Sequence, residues 1–128
     1  MKRTEARKKA LQALFQLDST ELTVQEAIEY VLIDDEQTND FLNRLVQGTT
    51  EHKEEIDAAL EAKLENWTLS RLPKIERTVL RLAVYELLFD EEMPNKVVMN
   101  EAIELSKTFG DEKSSKFVNG VLSKFTEQ

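Results

Sequence analysis

Cysteine is absent from this 128-residue chain, which excludes disulfides, thiolate metal sites and thiol chemistry. Glycine and proline are scarce, at three and two, so little interrupts a sequence dominated by Glu, Leu, Lys and Ala, and local propensity favours helix throughout. No run of about 18 apolar residues exists to span a membrane, and the basic, polar opening lacks the apolar stretch of a leader. A cytoplasmic protein is expected. A chain of this length can bury roughly two thirds of its unfolded surface as one domain, without staples.

Catalytic signals are equally sparse. No glycine-rich phosphate loop is present, and the one histidine, His52, sits in the acidic run Glu51–Glu55, where a solvated side chain is expected. The carboxylate-rich composition raises a metal-binding bundle as an alternative. The Glu-x-x-His spacing of di-iron bundles is missing, however, because Thr49 stands three residues before His52. No catalytic residue, metal or cofactor is expected.

The net charge of −8 argues against nucleic acid when taken as an average. Its distribution is uneven. Residues 1–17 hold five Lys/Arg against one acid (+4), residues 18–66 three against fourteen (−11), and residues 67–128 nine against ten (−1).

Apolar spacing predicts a first helix from about 4 to 17, with Ala6, Ala10, Ala13, Leu14 and Leu17 on one side and Leu11 and Phe15 widening the stripe. Thr23 followed by Glu26 is a capping-box pattern that starts a second helix, whose inner face is Ala27, Ile28, Val31 and Leu32. After an acidic turn at Asp34–Thr38, helical spacing runs from Phe41 to Leu64 through Gly48. One long helix bent at that glycine is expected, the alternative being two helices parted near it. Trp67–Leu72 reads as a connector or a single short turn, and Pro73 suits the start of the next helix.

That helix, about 74 to 90, is apolar around most of its circumference, which marks it as central. Its one polar strip gathers Lys74, Arg77, Thr78, Arg81 and Tyr85 within about 100° of arc, so a basic stripe is expected at the surface. Two more helices come after it, about 95 to 109 with Gly110 as its stop, and about 112 to 125. The last groups Lys113, Lys116, Phe117, Gly120 and Lys124 on one flank.

The first helix opens with Lys2, Arg3, Arg7, Lys8 and Lys9, although its macrodipole disfavours cations there by about 0.3–1 kcal/mol each. A phosphate backbone would reward both these side chains and the free amides of a helix start; a frayed, solvated end is the plain alternative. Arg3 and Arg7 fall on the side of Leu14 and extend the core-facing stripe. If the last helix packs there, Lys113, Lys116 and Phe117 would complete a basic groove with an aromatic edge, suited to single-stranded RNA. Phe117 as ordinary core is the competing reading. Glu76 and Glu86 lie on the apolar side of the central helix, so each needs a structural partner or a hydrogen bond from a base edge or a protein.

The segments NEAIELSKTFG at 100–110 and KFVNGVL at 116–122 closely resemble the C-terminal signature of the NusB family. ERTVLRLAVYELL at 76–88, preceded by Ile75, resembles that family's central helix, and ALQALFQLD at 10–18 its first helix. The resemblance implies an all-α bundle of about six to seven helices in one 1–128 domain, with packed subdomains at about 1–66 and 67–128. It implies a non-enzymatic factor that binds boxA RNA of nascent ribosomal transcripts with NusE, a small-subunit ribosomal protein, and joins other Nus factors on RNA polymerase.

By the same resemblance Lys2, Arg3, Arg7, Glu76 and Phe117 meet RNA, and the reading of the basic residues adds Lys8, Lys113 and Lys116. Glu76, Arg77, Arg81, Tyr85 and Glu101 are expected toward NusE. Thr4 and Glu5 interrupt the arginine run of some relatives, and Lys113 stands where some carry an acid. The first departure lowers the expected attraction for RNA and the second raises it. A helical protein adaptor without RNA contact, suggested by the acidic middle, is the alternative function.

Overall fold

Seven α-helices and one 3-10 turn make up the computed structural model, which describes residues 1–126; no strand occurs among them. The last two positions of the expected 1–128 domain lie outside the described residues. In order the helices are α1 (Arg3–Ser19), α2 (Val24–Val31), α3 (Asp40–Glu51), α4 (Lys53–Lys63), α5 (Lys74–Phe89), α6 (Asn95–Phe109) and α7 (Glu112–Thr126), with the 3-10 turn at Leu69–Arg71. No helix among the described residues is long and apolar enough to cross a membrane.

The chain divides into two compact units, Met1–Glu51 and His52–Gln128. The division thus falls ahead of α4, whereas the sequence suggests one at about 66. The second half of the expected long helix belongs with α5, α6 and α7.

In the first unit α1 packs against both α2 and α3. Ala6, Ala10, Leu11, Ala13 and Leu14 are buried, and the three alanines let neighbouring backbones come close. The capping box starts α2 as expected: the Thr23 hydroxyl accepts the Glu26 amide at 3.1 Å, and the Glu26 carboxylate accepts the Thr23 amide at 2.9 Å. That backbone hydrogen bond from Thr23 holds the Glu26 carboxyl below its ordinary value. The acidic turn places Asp34 in the left-handed region at φ 52°, where a short polar side chain is tolerated. Asn39 then caps α3, accepting the Leu42 amide at 2.8 Å.

The expected long helix through Gly48 is two helices, and the break lies at His52 instead. Gly48 sits buried inside α3. The Thr50 hydroxyl donates back to the Val46 carbonyl at 2.8 Å, a contact that loosens helices. His52 then leaves helical geometry at φ −100°, ψ 18° before its own carbonyl accepts the Ile56 amide and restarts the ladder.

In the second unit α5 contacts α4, α6 and α7, as its apolar circumference demands. Thr78, Val79, Leu80, Leu82, Ala83 and Val84 are all buried. Pro73 and Pro94 occupy the caps of α5 and α6, where a missing N–H costs nothing. Gly110 ends α6 through crowding: a Cβ there would lie 2.8 Å from both the Ser106 carbonyl oxygen and the Ser114 hydroxyl. Its backbone is not left-handed.

Candidate nucleic-acid interface

The amino-terminal cations of the first unit take different roles once folded. Lys2 caps α1 with extended backbone and no side-chain cap bond, so it and Arg3 are exposed beside the first amides of the helix. Arg3 lays its guanidinium 4.3 Å from the centroid of the Phe41 ring. Arg7, expected to reach RNA, is only 1% exposed, with its guanidinium 5.0 Å from the same ring. The correction has a simple cause: Arg7 lies on the stripe that α2 and α3 cover, and the aromatic face of Phe41 receives the charge there.

Lys9 is likewise structural. Its ammonium pairs with Glu36 at 2.9 Å and donates to the Val31 carbonyl at 3.2 Å, tying α1 to the end of α2. The hydrogen bond from Lys9 holds the Glu36 carboxyl below its usual range. Lys8 remains partly exposed and pairs with Glu5 at 3.4 Å. Sequence reasoning misses Arg44, an exposed residue of α3 whose guanidinium lies 5.7 Å from the Phe41 centroid. The i, i+3 spacing of Phe41 and Arg44 is the available signal.

The second unit holds a pocket of about 320 Å³ between the 3-10 turn, the start of α5 and the start of α7, lined by Trp67, Pro73, Glu76, Lys113, Ser114 and Phe117 among others. Phe117, half-buried, meets Trp67 edge-on with centroids 6.2 Å apart at 72°. Trp67 itself is 53% exposed. Glu76 lies in the first turn of α5, where the positive end of the macrodipole favours a carboxylate. It accepts a hydrogen bond from the Ser114 hydroxyl at 3.1 Å. Asp111 accepts the Ser114 amide at 2.8 Å, and this backbone bond lowers the Asp111 carboxyl below its ordinary value. Ser114 is thus fixed from two sides, and it fixes Glu76. Lys113 and Lys116 are exposed on α7. Trp67 reads as mere connector in the sequence, because a residue outside a periodic segment gives no facing direction; its being the chain's one tryptophan, just ahead of Pro73, is the only cue.

The basic stripe expected along α5 reaches the surface only in part: Lys74 is exposed, while Arg77 and Arg81 are half-buried. Arg81 forms a two-pronged pair with Asp57 of α4, at 2.8 and 3.0 Å, and its side chain is 14% exposed. Arg77 donates to the carbonyls of Ser70 and Leu72, at 3.5 and 3.4 Å, bracing the 3-10 turn. Thr78 and Tyr85 are buried. Projection of one helix could not reveal that α4 brings Asp57 over the strip. Glu101 is half-exposed on α6, and Glu86 is 2% exposed.

His52 also departs from expectation. Its ring stacks on Phe89 with centroids 4.0 Å apart, continues toward Tyr85 at 6.4 Å, and contacts Glu55 at 3.2 Å. No group of three or more potential metal-ligating side chains occurs among the described residues.

Comparison with known proteins gives a consistent result. The NusB family profile matches residues 4–127. The transcription antitermination protein NusB of Lysinibacillus sphaericus (strain C3-41) is 70% identical over 128 residues, covering 100% of this chain and 99% of that protein. That of Bacillus subtilis (strain 168) is 53% identical over 123 residues, 96% of this chain and 93% of the relative. A crystal structure of antitermination factors NusB and NusE in complex with dsRNA superposes with a TM-score of 0.86 at 34% identity, covering 96% of this chain and 94% of that one. With a family match spanning nearly every residue and relatives alike from end to end, the chain belongs to the NusB family.

Proposed function

We propose that this protein is a cytoplasmic transcription antitermination factor that binds boxA-type single-stranded RNA of nascent ribosomal transcripts together with NusE, and helps assemble the antitermination complex on RNA polymerase. The observation that carries the reading is the aromatic pocket at Phe117 with an oriented carboxylate inside it. A base stacks against the ring, while Glu76, held by Ser114, accepts hydrogen bonds from an exocyclic amine on the base edge. Lys113 at the pocket rim holds a neighbouring phosphate; in the first unit, Lys2, Arg3 and Lys8 are the cations offered to RNA phosphates. No bond is made or broken. The relatives' naming as antitermination proteins and the structural neighbour's complex of NusB and NusE with dsRNA support the antitermination role and the binding of RNA and NusE.

The NusE contact uses the second unit. Glu101 and Val97 share one face of α6, where Val97 is 38% exposed, and an apolar spot edged by a carboxylate suits a basic ribosomal protein. Arg77 and Arg81 act indirectly, by bracing the 3-10 turn and α4, and Tyr85 by packing.

A titration of labelled boxA RNA with and without NusE, repeated over a range of salt, tests the reading. With Lys2, Arg3, Lys8 and Lys113 on phosphates, log K against log salt has a slope of roughly −3 for a single strand. Glu76→Gln weakens binding with the slope unchanged. Binding that is absent even with NusE present, or indifferent to salt, overturns the proposal in favour of a protein adaptor.

A further inference from the structure

A second pocket, of about 270 Å³, adjoins the first and shares only Trp67 and Phe117 with it. The aromatic pair is therefore their common wall. Along α7 the first pocket uses residues 113, 114 and 117, and the second uses 116, 117, 120, 121 and 124, so the two succeed one another down the helix. Their charge differs. Glu76 and Asp111 outnumber Lys113 in the first, whereas Lys63, Lys116 and Lys124 outnumber Glu65 in the second.

Three details of this second pocket have no structural explanation. Trp67 leaves half its surface in solvent, and its indole N–H donates to no described residue. An indole with an open face and a free edge suits a surface that is apolar on one side and wet on the other. Gly120 lies inside α7, where glycine disfavours the helix by about 1 kcal/mol relative to alanine. Nothing lies within 4 Å of where its Cβ would be. Packing does not require a glycine there; close approach of a ligand to the helix backbone does. Lys116 is exposed and forms no ion pair with a described residue, whereas Lys124 is committed to the Lys63 carbonyl at 3.0 Å and to Glu65 at 3.2 Å.

We infer that this pocket is a second nucleotide subsite, in which a base stacks on the exposed face of Trp67 while its phosphate passes over Gly120 to the Lys116 ammonium. The claim rests on the RNA-binding reading above and adds to it a residue, a register and a direction. Successive nucleotides occupy the Glu76 pocket and then the Gly120 pocket, so the strand runs along α7 with the Trp67–Phe117 pair between two bases. The first subsite reads a base edge through a carboxylate. The second holds its base chiefly by stacking, its one carboxylate, Glu65, being paired with Lys124, so it discriminates less among bases.

Trp67 is the only tryptophan and lines both pockets, so its emission reports occupancy of either, while a substitution at Gly120, which lines the second pocket alone, assigns the signal to it. The probe is a boxA-type single-stranded RNA, fluorescein-labelled for anisotropy and unlabelled for tryptophan emission. Emission is expected to quench along the same isotherm as the anisotropy. Trp67→Ala should weaken binding roughly five- to hundredfold, and Trp67→Phe should recover part of the loss. Gly120→Leu keeps the fold, since its side chain enters open space, yet fills the pocket and weakens binding roughly tenfold. It carries the test if Trp67→Ala does not fold. Anisotropy that rises while emission stays flat and Gly120→Leu binds like wild type overturns the subsite and leaves the parent reading standing. No anisotropy change at any RNA concentration overturns both.

Discussion

Two glycines near the same stretch of chain should respond oppositely to one methyl group. At Gly110 the added Cβ would meet the backbone oxygen of Ser106 and the hydroxyl of Ser114, both at 2.8 Å. A carbonyl inside α6 cannot swing aside like a side-chain tip, so the turn between α6 and α7 must move. Overpacking of this kind costs about 1–3 kcal/mol. Displacing Ser114 also strains its bond to Glu76, adding about 0.5–1.5 kcal/mol. A loss of about 2–3 kcal/mol corresponds to a fall in Tm of roughly 8–12 °C for a chain of this size. At Gly120 the same methyl meets nothing within 4 Å. There alanine should gain about 0.5–1 kcal/mol in helix propensity and raise Tm by roughly 2–4 °C. Thermal unfolding monitored by far-UV circular dichroism, with urea titrations to check the m-value, measures both. A Gly110→Ala protein melting within a degree of wild type, or a Gly120→Ala protein melting below it, would refute the crowding argument.

The capping box gives a smaller, local effect: Thr23→Ala should cost about 1 kcal/mol, read as a urea midpoint shift at unchanged m, and Thr23→Ser should restore most of it. Acid stability reflects three carboxylates held below their usual 4.5, 4.5 and 3.8: Glu26 chiefly by the Thr23 amide, Glu36 by the Lys9 ammonium, and Asp111 by the Ser114 amide. Because folding lowers these values, the stability they add is complete above the unfolded-chain range and drains as pH falls through the folded one. Urea midpoints should therefore drop below about pH 4.5, and Glu36→Gln should flatten that limb; an identical acid profile in the variant would count against the Lys9–Glu36 contact.

Much of the architecture is legible because it is local. The Thr23 box, the prolines before α5 and α6, and the apolar circumference of α5 each declare themselves within a few residues, and the helices begin and end close to where those signals put them. The features that stay hidden in the sequence depend on neighbours. Arg81 belongs to a face that looks like surface until Asp57 arrives from α4, and Arg7 extends a core-facing stripe whose cover, Phe41, comes from another helix. The break at His52 is easily assigned to Gly48, since glycine is the obvious suspect and a threonine hydroxyl turning back on its own helix is not. At the candidate site Glu76, Lys113 and Phe117 can be picked out from the sequence and do line one pocket, but Trp67 and Ser114 complete it from a connector and a helix start.

The ring of Phe41 sits close to three guanidiniums, those of Arg3, Arg7 and Arg44. One uncharged residue is thus a contact common to all three. Exchanging Phe41 for leucine would leave the formal charge at −8 and yet remove that common contact, so the protein's behaviour toward a polyanion can drift through a substitution that charge counting would score as silent.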